Sequence, residues 1–368
     1  MERIIQEFLE LVQTDCGSCD ERLVADYIKR KLEELGCEVY EDDAAQKVGG
    51  NTGNVFAYLP GTRDGCVMLS AHLDRVSNGY QVVPHIEGDY IYSDGTTILG
   101  ADNVSGLVSI LDALRRLKAS EKQYPTVEVV LSVCEEMGIL GARVMDLSRL
   151  RSSMAFILDS TGPLGRIDIK RPYKAMVTMK VHGLRAHGSR PELGINAITA
   201  ACMMLDGLRE GRLDEESTSN LGVIHGGDTT PGTVCDFVEI KCEARSFSKE
   251  KLDKYLQYMQ EHCAERIKKT KARLDFEVEI QHKNCCYTED DPIVQLAVGV
   301  LRSMNVAPML SETMEGCDGN IYNAHGIPCI SFGMGNTNAH ALEESVRISD
   351  LVRAGELAAK LVLASRPV

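Results

Sequence analysis

The sequence predicts an α/β protein in which a mostly parallel sheet, flanked by helices, is interrupted by a smaller α+β domain. Three observations carry that expectation. Apolar runs and amphipathic helical segments alternate through the first 160 residues and again after residue 285. The runs are continuously apolar, as strands covered on both faces must be. Between about 174 and 284 the pattern changes to strands that alternate with period two, which need cover on one face only.

The elements follow in order. The opening "MERIIQEFLELVQ" places Ile4, Ile5, Phe8, Leu9 and Val12 on one helical face. A second helix is expected over 20–35, with Ser18 and Glu21 as a capping box. Strands are expected at 37–43, 54–60 and 66–74, then a turn-rich stretch holding "EGDYIYSDGTT", then a helix over 103–119. The strands "TVEVVLSV" and "MAFILDS" close the first half. In the middle come a strand at 174–183, a helix at about 194–210, strands at 220–227 and 234–247, a long charged helix at 248–272 and a strand at 273–281. That order is ferredoxin-like. The predicted domains are 1–173 with 285–368, and an inserted 174–284.

Composition narrows the function. The 368 residues carry a net charge of −14, which argues against nucleic acid or an anionic membrane surface as the main partner. No run approaches the roughly 18 apolar residues of a membrane span, and the N-terminus lacks the basic and apolar regions of a secretion signal. The 13 cysteines are odd in number, and several sit within apolar strands. Reduced thiols in a cytoplasmic protein are therefore expected. The "CGSC" of residues 16–19 has redox-motif spacing, but no strand leads into it.

Ligands of open α/β sheets bind beyond the carboxyl ends of the strands. Five such junctions deliver a histidine or carboxylate: His72 with Asp74, Asp102, Glu135 with Glu136, Asp159, and His340. Each alone has an ordinary reading. Asp102 could cap a helix, Asp159 could start a turn with Ser160, and the two glutamates could form a solvated loop. Together, two histidines and three carboxylates suit a pair of zinc-like ions sharing one carboxylate. The charges of such a site close with one hydroxide, and Glu135 is left over as a general base. Asp74, two residues beyond His72 on an extended chain, points the same way and could hold the other imidazole nitrogen.

These residues lie in motifs that resemble the co-catalytic zinc hydrolases, the family of peptidase T, carboxypeptidase G and aminoacylase. The motifs are "SAHLD", "DGTTILGADNVSGLVSILDAL", "EEMGILGA", "ILDSTG", "GLRAHGSRPELGINAI", "CEARSF", "GCDGNIYNAHGIP" and "AHALEESVRISDL". They run in family order over nearly the whole chain, which is most similar to the peptidase T-like branch. The resemblance implies that His72, Asp102 and Asp159 bind one zinc, and Asp102, Glu136 and His340 the other. Manganese or cobalt are alternatives. It implies Glu135 as general base, Asp74 as orienter of His72, and a cis peptide between Asp102 and Asn103. It also implies a lid and dimerisation role for the inserted domain, with His187 stabilising the oxyanion, often from a partner subunit, and Arg245 binding a substrate carboxylate.

Some positions depart from the family pattern. Arg75 replaces a threonine, with an acidic substrate group or solvent as its expected neighbour. The stretch "GGDTTPGTVCDF" lacks an asparagine, leaving Gly232 or its neighbours in that place and His225 as a substitute contact. Glu344 is kept downstream of His340 without the usual threonine. The expected function is hydrolysis of short peptides, tripeptides foremost, by an aminopeptidase that uses a metal-bridged hydroxide. The alternatives are an N-acyl amino acid deacylase or carboxypeptidase with the same metals, a non-catalytic metal-binding or metal-free relative, and a thiol oxidoreductase using Cys16 and Cys19.

Overall fold

The computed structural model describes residues 2–227 and 231–366. In chain order its helices are α1 (Arg3–Val12), α2 (Arg22–Glu34), α3 (Ala44–Val48), α4 (Ala101–Lys118), α5 (Leu140–Val144), α6 (Ala197–Leu205), α7 (Lys249–Ile267), α8 (Pro292–Ser303), α9 (Asp318–Ala324) and α10 (Ile348–Ala364). The strands of the first half are β1 (Glu38–Glu41), β2 (Val55–Leu59), β3 (Cys66–His72), β4 (Pro84–Glu87), β5 (Tyr90–Ser93), β6 (Thr126–Ser132), β7 (Ala155–Ser160) and β8 (Arg166–Arg171). Those of the middle are β9 (Tyr173–His182), β10 (Gly211–Asp214), β11 (Ser217–Gly226), β12 (Phe237–Ser246) and β13 (Arg273–His282). The last are β14 (Cys285–Cys286), β15 (Met309–Glu312), β16 (Cys329–Gly333), β17 (Asn336–Thr337) and β18 (Ser345–Arg347).

The chain divides into two compact units, Met1–Lys170 with Cys285–Val368, and Arg171–Asn284. In the first, a nine-stranded sheet runs β1-β2-β6-β3-β7-β16-β8-β14, with β15 against β8. Its centre is parallel: β3 pairs with β6 and β7, and β7 with β16. These strands are buried along almost their whole length, which is why they read as largely apolar runs, with Ser70 and Glu128 among the buried polar exceptions. Helix α4 lies against β3 and β7 and packs on α10. The register puts His72 opposite Ser132 and Ser70 opposite Ile157. Asp159, two residues past Ile157, therefore ends level with His72. The parallel strands thus finish together and present their loops at one sheet edge.

Several boundaries differ from expectation. Leu11, not Leu9, fills the fully buried place on α1. The turn-rich stretch holds the β4–β5 hairpin, joined by Gly88-Asp89, with Glu87 opposite Tyr90. From sequence only a turn-rich stretch is expected here, although a two-residue loop with glycine at φ 60° is a recognised hairpin signal. It belongs to a small sheet, β17-β18-β5-β4, that carries the loop bearing His340.

In the second unit the sheet order is β10-β11-β12-β9-β13, wholly antiparallel. Without the added edge strand β10 this is the ferredoxin-like order. Helices α6 and α7 cover one face, where Val177, Met179, Ile240 and Cys242 meet Ala201, Met204, Leu256 and Met259. The bare face explains the period-two pattern. Asn196 and Ser248 cap the two helices through their side-chain oxygens.

Candidate metal centre

The candidate ligands of the first unit come from five separate segments: His72 and Asp159 from the ends of β3 and β7, Asp102 from the start of α4, and Glu136 and His340 from connecting turns. His72 closes β3. Its Nε2 lies 3.1 Å from Asp102 Oδ1 and 3.3 Å from Asp159 Oδ1. His340 Nε2 lies 2.8 Å from Glu136 Oε1 and 3.4 Å from Asp102 Oδ2. The two oxygens of Asp102 therefore face two different histidines. The ligand atoms of His72, Asp102 and Asp159 all lie within 4.8 Å of one another, as do those of Asp102, Glu136 and His340. The sequence-predicted ligands thus converge as two triads sharing one carboxylate.

Local backbone geometry makes this possible. The peptide between Asp102 and Asn103 is cis, and both residues depart from helical angles at the start of α4. Asn103 Nδ2 donates to Asp159 Oδ1 at 2.7 Å. Gly100 precedes them at φ 76°, where a Cβ would lie 2.3 Å from Arg75 Cδ, so only glycine fits. Glu344 accepts from Gly100 N at 2.6 Å and Asp102 N at 3.0 Å, fastening this turn. Burial, reinforced by the Asp102 charge, pushes the Glu344 carboxyl up to about 7.

Asp74 organises the other side. It is fully buried. Its Oδ1 stands 3.3 Å from His72 Nδ1 and accepts from Glu135 N at 2.9 Å. Its Oδ2 accepts from Glu136 N at 3.2 Å and Ser18 Oγ at 2.6 Å. Asp74 thus orients the histidine, whose Nδ1 also lies 3.0 Å from the Asp74 backbone carbonyl, and fixes the paired-glutamate turn through its carboxylate.

The electrostatics are those of a cluster rich in carboxylates. Burial pushes Glu135 well above the usual carboxylate range, with the charges of Asp159, Asp318 and Glu136 adding to it. Burial opposes ionisation of Asp102, but hydrogen bonds from His340 and His72 outweigh it and depress its pKa. Asp102 and Glu136 in turn hold the His340 imidazole at about 10. Such a set of donors suits divalent cations, whose charge would relieve the crowding of carboxylates. A cavity of about 450 Å³, lined by Gly17, Ser18, Val76, Ser77, Tyr80, Glu136 and Met137, opens beside it.

Several expectations are corrected. Ser18 and Glu21 form no capping box. Glu21 stands at the N-cap without a side-chain cap, and its Oε1 accepts from Cys19 N and Cys134 N. Arg75 faces neither solvent nor substrate. It is buried, and its guanidinium donates to the carbonyls of Leu11, Val12, Thr14 and Gly79. The Cys16 thiol is buried and donates to Leu73 O at 3.3 Å, and burial pushes its pKa up to about 12. Cys19 faces Cys134 at 3.3 Å, not Cys16. Reasoning from sequence missed Asp318, which is buried with one oxygen on Ser132 Oγ and its other oxygen unpartnered. The "GCD" at the start of α9 was its only signal.

The remaining predicted residues lie in the second unit. His187 is exposed, and its Nδ1 accepts from Ser189 N at 3.1 Å, leaving Nε2 as the donor. Gly188 N bonds Gly232 O at 2.8 Å, while residues 228–230 of the departing stretch lie outside the described residues. Arg245 makes a two-point pair with Glu243, at 2.9 and 3.1 Å. His225 is exposed on β11, opposite Glu239.

Fold and cluster together are those of a hydrolase. The family model described as "Peptidase family M20/M25/M40" matches residues 68–364, and the chain belongs to that family. It is 35% identical over 362 residues to the uncharacterized protein YqjE of Bacillus subtilis, covering 98% of this chain and 97% of that one. Among solved structures it is similar to aminopeptidase PepT of Bacillus cereus, with 34% identity, 98% of both chains covered and a TM-score of 0.86. It is also similar to a tripeptidase of Staphylococcus aureus, with 28% identity, 99% of this chain and 98% of that one covered, and a TM-score of 0.89. The peptidase T-like resemblance and the α/β class read from sequence agree with these findings.

Proposed function

We propose that this peptidase is a tripeptide aminopeptidase working with two zinc ions. The observation that supports the reading is Asp102, whose oxygens lie 3.1 and 3.4 Å from two histidines, each backed by a further carboxylate. His72, Asp102 and Asp159 would hold one ion, and Asp102, Glu136 and His340 the other. Manganese or cobalt would suit the same donors. Bound there, the metals would polarise the scissile carbonyl and acidify water.

The chain's own residues do the rest. Asp74 holds His72 through Nδ1, so that Nε2 faces Asp102 and Asp159. The same carboxylate fixes the backbone of Glu135 and Glu136. Glu135 takes the proton from the attacking water at its carboxylate and returns it to the leaving amine. Bound cations would offset the burial that raises its pKa, leaving the carboxylate able to accept a proton. His187 Nε2–H would donate to the developing oxyanion. Arg245 would reach a substrate carboxylate only by sharing its fork with Glu243. The cavity beside Glu136 offers room for a substrate side chain. Thirteen cysteines, all of them free thiols, support a cytoplasmic setting. Exposed Val223 and Ile224 on β11 support a homodimer through the second unit, as the family resemblance implies.

The test is hydrolysis of an unblocked tripeptide and its N-acetylated twin by zinc-reconstituted protein. Cleavage of only the free-amine peptide is expected. Cleavage of the blocked twin, alone or equally well, would overturn the aminopeptidase reading in favour of a deacylase or carboxypeptidase.

A further inference from the structure

Cys19 and Cys134 lie 115 residues apart in sequence, yet their sulfurs stand 3.3 Å apart. Each belongs to a segment that builds the candidate centre. Cys19 follows Ser18, the hydroxyl donor to Asp74. Cys134 immediately precedes Glu135, in a left-handed conformation at φ 51°. One oxygen, Glu21 Oε1, holds both: it accepts from Cys19 N at 2.9 Å, Cys134 N at 3.0 Å and Cys134 Sγ at 3.4 Å. Cys19 is partly exposed, with Met137 Sδ 3.6 Å away. A cavity lined by Gly17, Ser18, Glu136 and Met137 adjoins both segments. Cys134 is buried.

We propose that Cys19 and Cys134 are a peroxide-sensitive thiol pair that closes to a reversible disulfide and switches off the Glu135–Glu136 turn. The control of activity rests on the function proposed above; the disulfide itself does not. Hydrogen peroxide oxidises the Cys19 thiol to a sulfenic acid and is reduced to water. The Cys134 sulfur then attacks the Cys19 sulfur. The S–S bond forms as the S–O bond breaks, and the departing hydroxide leaves as water with the Cys134 proton, relayed by Glu21 Oε1. Two thiols and one peroxide give one disulfide and two waters.

Closure must bring the sulfurs from 3.3 Å to about 2.05 Å. Cys134 is bonded directly to Glu135, whose N–H, with that of Glu136, is held by Asp74. A shift of about 1 Å in such a turn is enough to cost a site much of its rate.

The test treats metal-loaded wild type, Cys16→Ser, Cys19→Ser and Cys134→Ser with graded hydrogen peroxide. Non-reducing peptide mapping, metal content and tripeptide hydrolysis are then read. Wild type and Cys16→Ser should yield a peptide bridged between Cys19 and Cys134. They should lose hydrolysis by roughly tenfold or more and regain it with dithiothreitol. Cys19→Ser and Cys134→Ser should stay active and resist that loss. Cys19 is partly exposed, so its variant carries the test alone if Cys134→Ser does not fold. A bridge between other thiols, or over-oxidised Cys19 without a bridge, overturns the pair. A bridge that leaves hydrolysis and metal content unchanged overturns the switch. A reduced protein without peptidase activity would strike the proposed function instead, since the peptide map needs no turnover.

Discussion

Arg75 is buried and Glu135 stands in the carboxylate cluster, and the two side chains are expected to serve opposite ends. Arg75 gathers four backbone carbonyls, three of them at the end of α1, as acceptors for its guanidinium. Replacing it with methionine strands those carbonyls away from water. Arg75→Met should cost roughly 2–4 kcal/mol, seen as a lower urea midpoint with an unchanged slope. Glu135 has the general-base role in the proposed function. Glu135→Gln keeps its volume and backbone bonds, so folding and metal content should hold while kcat falls by about 10²–10⁴-fold. Loss of metal together with rate would instead make Glu135 a ligand. The residue types at these positions were plain in the sequence. The destination of Arg75 was not, because a cation after a strand can turn to solvent or to carbonyls, and only the packed end of α1 decides.

At the scale of elements, period and length were the reliable guides. Strands β3, β6 and β7 and helices α4 and α7 are long and strongly patterned, and they were read within a few residues. Short elements failed: α3, β10 and the β4–β5 hairpin carry too few residues for a period to emerge. Strand β13 ends on a residue with a pH signature. His282 is buried, and burial with the neighbouring Lys174, Arg245 and Arg171 cations lowers its pKa to about 4 from 6.5. As pH falls through 6.5 the unfolded chain takes up a proton that the folded one refuses. This contribution to stability is therefore complete above 6.5 and lost progressively down to about 4, by at most roughly 3 kcal/mol. Denaturation midpoints at pH 7 and pH 5 should differ less for His282→Gln than for the parent. An equal difference in both would refute the assignment.

For the whole molecule, the cluster of Asp102, Glu135, Glu136 and Asp159 is expected to need its cations for stability as well as rate. Stripping with a chelator should abolish hydrolysis and lower Tm, and divalent zinc should restore both. A Tm indifferent to chelation would argue that the triads hold no metal. His187 provides a test of assembly. His187→Ala should lower kcat by about 10²–10³-fold, with metal content unchanged. If it acts across a dimer, mixing it with Glu135→Gln should recover activity, since one subunit pair would then hold an intact set. No recovery in exchanging mixtures would place His187 in the same subunit as the site it serves.

The sequence by itself determined the α/β class, the inserted antiparallel unit and the residues of both triads. Those depend on hydrophobic period and on motifs that each lie within a few residues. The tertiary structure decided what joins residues far apart. It turned the supposed cap of Ser18 and Glu21 into supports for Asp74 and for Cys134, buried Arg75, and parted Cys16 from Cys19 to set Cys19 against Cys134. Local pattern records which face a side chain prefers. It holds no record of which distant turn will share that face, because that is set by strand register and loop closure across the whole sheet.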